Sequence, residues 1–142
     1  MNKSVCIFVL KETLTRCLLA LEQAGALDLR KLRPSYNEAG SRYDKIISEQ
    51  IEYTLRYVPD DVPFQGNAIG IMSDAFNRAT GALEGAKDIS TKKLRREYRG
   101  LGSHYYDIVT EVMKSCLPLY QEYLDQYDET KQLESVGPLS KL

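Results

Sequence analysis

The stretch KSVCIFVLKETLTRCLLALEQA, residues 3–24, decides the fold class of this chain. Its apolar residues recur at steps of three and four, the spacing that places one apolar stripe on an α-helix. The stripe consists of Ile7, Leu10, Leu14, Cys17, Leu18 and Leu21. The pattern predicts a first helix from about Lys3 to Ala24, followed by Gly25 because glycine is common just past a helix end.

Two more stripes follow the first one. The second predicts a helix from about Tyr36 to Tyr57, which Pro59 ends because proline lacks an amide hydrogen and clashes with the preceding turn. Residues 59–67, which include Gly66 and Asn67, are predicted to form a loop. The third stripe runs from Ile69 to Ala86 and predicts another helix.

Three glycines interrupt the third stripe, at Gly70, Gly81 and Gly85. Glycine lowers the stability of a helix interior by up to about 1 kcal/mol relative to alanine. The sequence leaves two interpretations open. The glycines mark a close contact between helices, or they make the helix locally flexible.

The last part of the chain predicts two further helices. A short one runs from Thr91 to Arg99 with Ser90 as its N-cap, because a serine hydroxyl accepts a bond from a free amide of the first turn. After Gly100 and Gly102, a fifth helix follows, with an apolar face from Tyr105 to Tyr123 and a kink at Pro118. No strand-like alternation appears. We therefore predict an all-α fold, an up-and-down bundle of about five helices over residues 1–127, with a flexible C-terminal tail at 128–142.

Composition limits the class of the protein. A chain of 142 residues forms one domain, and its net charge of -1 gives no overall attraction to nucleic acids or acidic membranes. The apolar run Val5 to Leu10 is too short to span a membrane. Cys6, Cys17 and Cys116 lie in apolar helical stretches without metal-ligand spacing, so we predict buried thiols. These features predict a cytoplasmic protein with no membrane partner, no metal site and no cofactor.

Basic residues concentrate in one segment although the whole chain is slightly acidic. Five of the eight residues from 92 to 99 are basic: Lys92, Lys93, Arg95, Arg96 and Arg99. Such a density attracts phosphate groups, and we predict that Lys92, Lys93, Arg95 and Arg96 bind nucleic acid. The alternative is a solvated helix face with Leu94 and Tyr98 turned inward.

The only histidine of the chain directly follows this segment. Arg99 precedes His104 by five residues, and Tyr106 follows it by two. This Arg-x4-His-x-Tyr pattern resembles the motif of the HEPN superfamily, whose small all-α domains include ribonuclease toxins of the HepT type. In that superfamily the motif lies near the start of the last long helix, and the step Leu117-Pro118 also resembles that helix. The resemblance implies that Arg99, His104 and Tyr106 are catalytic residues.

The motif has the chemistry for RNA cleavage without a metal. A histidine takes the proton from a ribose 2′-hydroxyl or gives one to the departing 5′-oxygen. An arginine holds the phosphate and stabilises its transition-state charge. Because one site holds one histidine for two proton transfers, the resemblance implies a homodimer that brings two motifs together. It also implies RNA as a partner and a cognate antitoxin that restrains the activity.

Two other interpretations remain open from the sequence. In the first, His104 is a half-buried histidine that caps a helix end. In the second, the whole chain is a non-enzymatic helical bundle, an adaptor or inhibitor that binds a protein partner. Ten tyrosines against three phenylalanines favour the second of these, because tyrosine has an apolar body and a polar tip that suit interfaces.

Overall fold

The computed structural model describes residues 1–32, 38–94 and 103–136, with the side chains of these ranges as far as Tyr127. This part of the chain holds five α-helices longer than one turn, and no strand. They are α1 (Lys3–Gln23), α2 (Arg42–Arg56), α3 (Phe64–Gly85), α4 (His104–Cys116) and α5 (Leu119–Val136). The predicted all-α bundle of about five helices is confirmed.

The first three helices run alternately up and down. The hydroxyl of Thr15, late in α1, lies 3.0 Å from that of Tyr43 at the start of α2. Arg42 donates to the carbonyl of Ala86, just past α3, at 3.0 Å. The second half of α1, the start of α2 and the end of α3 therefore lie together, and we call this the upper end of the bundle.

The last two helices continue this alternation of direction. The Cys17 thiol lies 3.9 Å from the carbonyl of Val109, and the amide of Asn2 donates to the Tyr120 hydroxyl at 2.9 Å. Residues late in α1 thus face the first half of α4, whereas the start of α1 faces the start of α5. Helix α4 begins at the upper end and descends along α1, and α5 rises again beside it.

A single core lies between the helices, and α1 contributes most of one face to it. The predicted stripe is buried from Leu10 to Leu21, and Ile7 is half-buried at its edge. Opposite it lie the largest fully buried side chains of the other helices: Ile47, Ile51, Met72, Phe76, Leu83 and Met113. The three cysteines are buried free thiols as predicted, and burial raises the pKa of Cys6 to about 11 and of Cys17 to about 12.

Helix α2 begins six residues later than predicted, at Arg42 instead of Tyr36. Local hydrogen bonds explain why this helix begins at Arg42. Ser41 caps the helix by accepting from the amide of Asp44, and the Asp44 carboxylate accepts from the amide of Gly40 at 2.9 Å. Together these bonds occupy amides that have no partner inside the first turn.

The start of α3 and the break before α5 also differ from prediction. Gly66 and Asn67 were predicted in a loop but belong to the first turn of α3. Burial overrides their weak helix propensity, because Phe64 and Ala68 lie one turn apart in the core. The predicted kink at Pro118 is a full break, with α4 ending at Cys116 and α5 beginning afterwards.

The helical backbone continues beyond the predicted end of the bundle. Helix α5 runs to Val136, through the first part of the segment 128–142. Residues 137–142 and the side chains after Tyr127 lie outside the part of the chain that the structure describes. The flexibility of this tail stays a prediction.

The glycines of α3 do not mark a close helix contact. A Cβ atom built on Gly70, Gly81 or Gly85 would meet no other atom within 4 Å, so these positions face open space. The double change of Gly70 and Gly81 to alanine is therefore expected to stabilise the fold, by about 1–2 kcal/mol in total. Urea unfolding followed by circular dichroism measures this change in the free energy of unfolding.

The matched control is Gly25→Ala. Gly25 also has open space around its Cβ position, but its φ of +79° lies in the left-handed region, which costs an alanine about 1 kcal/mol or more. This variant should lose stability. A double variant at positions 70 and 81 that is no more stable than the wild type would contradict the exposed placement of these glycines.

Candidate functional site

His104 is the first residue of α4, and its side chain is exposed. Ser103 caps the helix instead, because its hydroxyl accepts from the amide of Tyr106 at 3.2 Å. The neighbouring ring of Tyr105, whose side chain is buried, lies 5.4 Å from the imidazole and anchors this turn in the core. His104 has no hydrogen bond to any other described residue. The interpretation as a half-buried capping histidine therefore does not fit, and the imidazole is accessible to a ligand.

The structure describes only one of the other two motif residues. Tyr106 is half-buried in the same helix, two residues after His104. Side chains two apart on a helix point about 200° apart, so the two do not share a face within one copy of the chain. Arg99 lies outside the described residues, as do Arg95 and Arg96 of the predicted nucleic-acid-binding set.

The remaining basic residues of that set, Lys92 and Lys93, lie in a short helical segment that begins at Lys92. Both side chains are exposed, whereas Leu94 is buried as the solvated-face interpretation expected. The segment starts one residue later than predicted, so Thr91 and not Ser90 directly precedes it. The prediction that it continues to Arg99 lies outside the described residues.

Two contacts hold this segment at the upper end of the bundle. The ammonium group of Lys93 donates to the carbonyl of Gly25, just past α1, at 3.2 Å. The amide of Thr91 donates to the Glu84 carboxylate near the end of α3 at 2.9 Å. Since α4 begins at the same end, the fold brings His104, Lys92 and Lys93 to one end of the bundle.

A cavity of about 720 Å³ also opens at this end. Its lining includes Lys92 and three basic residues outside the predicted nucleic-acid-binding set: Arg30, Lys31 and Lys87. The pair Arg30-Lys31 is visible in the sequence, but nothing there indicates that Lys87 lies beside it. Only the packing of the α1–α2 connection against the end of α3 joins these residues.

A second group of aromatic and basic side chains lies at the end of α2 and on α3, away from this site. The Arg78 guanidinium lies 4.6 Å from the centre of the Tyr53 ring and 6.0 Å from that of Tyr57. The Tyr57 hydroxyl donates to that of Tyr53 at 3.3 Å, which lowers the pKa of Tyr53 and raises the pKa of Tyr57. Tyr57 is 67% exposed. We call this group the tyrosine–arginine cluster.

The described residues contain no group of three or more histidine, cysteine or acidic side chains placed to hold a metal ion. None of the helices in the described ranges has the length and apolar character needed to cross a bilayer. No protein family, curated protein or solved structure shows significant similarity to this chain.

Proposed function

We propose that this chain is an RNA-binding domain of the HEPN type that cleaves RNA without a metal ion, as a toxin or defence protein. The observation that carries the proposal is the placement of an exposed His104 at the same end of the bundle as Lys92 and Lys93. An RNA strand that is held by the lysines would pass this end. The resemblance of the Arg99, His104 and Tyr106 pattern to the superfamily motif supports the assignment of roles.

The proposed reaction is a transfer of the phosphate within the RNA strand. The 2′-oxygen forms a bond to phosphorus while the bond from phosphorus to the 5′-oxygen breaks. One imidazole takes the 2′-hydroxyl proton, and an imidazolium protonates the departing oxygen. The products are a 2′,3′-cyclic phosphate and a 5′-hydroxyl. Arg99 would stabilise the charge that develops on the phosphate.

The test is incubation of labelled RNA with the purified protein in the presence of a metal chelator. We expect cleavage with a cyclic phosphate at one product end, and no cleavage of DNA of the same sequence, which lacks the 2′-hydroxyl. Intact RNA after incubation would contradict the enzymatic part of the proposal.

The two proton transfers require a second imidazole, so we propose a homodimer in which two copies of His104 face one substrate. Its mass in solution should be twice the chain mass of 16.2 kDa. Light scattering after size-exclusion chromatography measures it at the concentration used for cleavage. Cleavage by a strict monomer would rule out the two-histidine mechanism.

A second candidate function is a helical adaptor or inhibitor that binds a protein partner. The tyrosine–arginine cluster favours it, because tyrosine and arginine are the residue types enriched where protein interfaces gain most of their affinity. The discriminating experiment is affinity capture with the wild type and with Tyr57→Ala. A partner that the wild type retains and the variant loses would support this function, whereas RNA co-purifying equally with both would count against it.

A further inference from the structure

The charged cavity at the upper end draws its basic residues from three separate segments. Lys31 comes from the α1–α2 connection, Lys87 from the turn after α3, and Lys92 from the following helical segment. The volume of about 720 Å³ lies within the range of about 300–1,000 Å³ that is typical of ligand sites. Ile89, which is 7% exposed, adds an apolar patch to the lining.

Two of the three acidic residues of the lining, Asp28 and Glu84, have hydrogen-bond partners of their own. The Asp28 carboxylate lies 2.6 Å from the Arg30 guanidinium, and that of Glu84 accepts from both the amide and the hydroxyl of Thr91.

The third carboxylate, that of Asp88, lies 3.5 Å from Nε of Arg42, but its buried Oδ2 accepts no hydrogen bond from the described residues. Within the described ranges, Lys31, Lys87 and Lys92 form no ion pair, and the Lys31 ammonium group donates to the carbonyl of Lys87. The ammonium groups of Lys87 and Lys92 are thus the charges in the lining that a bound anion would neutralise.

The backbone at Lys87 adopts a left-handed conformation, which favours glycine. Helices α1 and α3 end in the same motif, in which two successive amides bond back to the last turn. In α1 the left-handed position of this motif holds Gly25, with φ +79°, whereas in α3 it holds Lys87, with φ +62°. A lysine is less stable there than glycine, because its Cβ crowds the carbonyl oxygen. An unfavourable backbone conformation of this kind is common where a side chain serves a ligand.

We propose that this cavity is a phosphate subsite of the RNA interface, in which Lys87 and Lys92 bind the backbone of a single-stranded RNA. The inference rests on the proposed function, because it extends the surface that Lys93 and His104 begin. Lys31 supports the subsite by donating to the carbonyl of Lys87 at 3.1 Å, which fixes the turn. The Ser90 hydroxyl, also in the lining, supplies a further donor for a phosphate oxygen.

The variant Lys87→Gly separates ligand binding from folding. Glycine suits the left-handed position, so the melting temperature should rise by about 3 °C. The same change removes one phosphate contact. The dissociation constant for a labelled single-stranded RNA, measured by fluorescence anisotropy, should therefore rise by roughly three- to tenfold. The slope of its logarithm against the logarithm of salt concentration should fall by about 0.7.

Two comparison variants complete the experiment. Lys114→Ala removes an exposed lysine near the end of α4, away from the cavity, and should leave affinity and salt slope unchanged. Lys93→Ala removes a predicted RNA contact outside the cavity lining and should weaken binding. If Lys93→Ala weakens binding while Lys87→Gly binds like the wild type, the subsite is refuted and the proposed function stands. If the wild type binds no RNA, both fail.

Discussion

His104→Ala is expected to reduce RNA cleavage at least 100-fold while the fold and its stability stay unchanged. General acid–base catalysis by one side chain contributes about 10²–10⁴-fold, and in the proposed homodimer the change removes both imidazoles at once. Stability should not change because the His104 side chain is exposed and has no hydrogen bond to the described residues. The measurement is the single-turnover cleavage rate with a chelator present, beside a thermal melt of the same preparation.

Arg99→Ala should abolish cleavage as well, through loss of charge stabilisation at the phosphate. The control on α4 is Lys114→Ala, another exposed change in the same helix, which should cleave at the wild-type rate. The dependence of the cleavage rate on pH adds a readout that the loss of a purely structural contact would not change. With one imidazole acting as base and one as acid, the wild-type rate should pass through a maximum. Full activity in either motif variant would remove the catalytic roles of these residues.

The sequence predicted α1 almost to the residue because two independent signals agree there. Its apolar stripe has one period throughout, and Gly25 follows it with the positive φ that is common at a helix end. Where such signals conflicted, the prediction failed. Gly66 and Asn67 are poor helix formers, yet the burial of Phe64 and Ala68 holds them in α3. Tertiary packing therefore sets the start of α3, and local helix propensity alone does not predict that packing.

The residues of the candidate site also fall into two groups: those that a local sequence pattern predicts and those that only packing brings together. A local pattern was enough to select His104 and Lys92, because motif spacing and charge density are properties of neighbouring residues. The exposure of His104 was not predictable, since it depends on Ser103 taking the capping role. Lys31 and Lys87 stand 56 positions apart in the chain and meet only through packing at the upper end. Contacts of this kind require the structure.

Phe76→Ala should destabilise the fold by about 3–5 kcal/mol, the largest effect on stability that we expect from a single substitution here. Phe76 is the largest of the fully buried side chains in the part of the chain that the structure describes, at 1% exposure, and its truncation leaves a cavity that the packed helices cannot close. Single domains are stable by only about 5–15 kcal/mol, so this loss is a large fraction of the total. Urea unfolding at equilibrium, followed by circular dichroism, gives the difference directly.

The same deletion at Phe8 is the matched control, because that ring is 58% exposed and contacts Tyr123 edge to face at 6.3 Å. Its truncation should cost about 1 kcal/mol or less. Equal losses at the two positions would contradict the placement of Phe76 in the core. The stability and cleavage experiments also separate the fold from the function. Phe76→Ala should lower the free energy of unfolding without touching the motif, whereas His104→Ala should remove cleavage from a protein of unchanged stability, so each proposal stands or falls by itself.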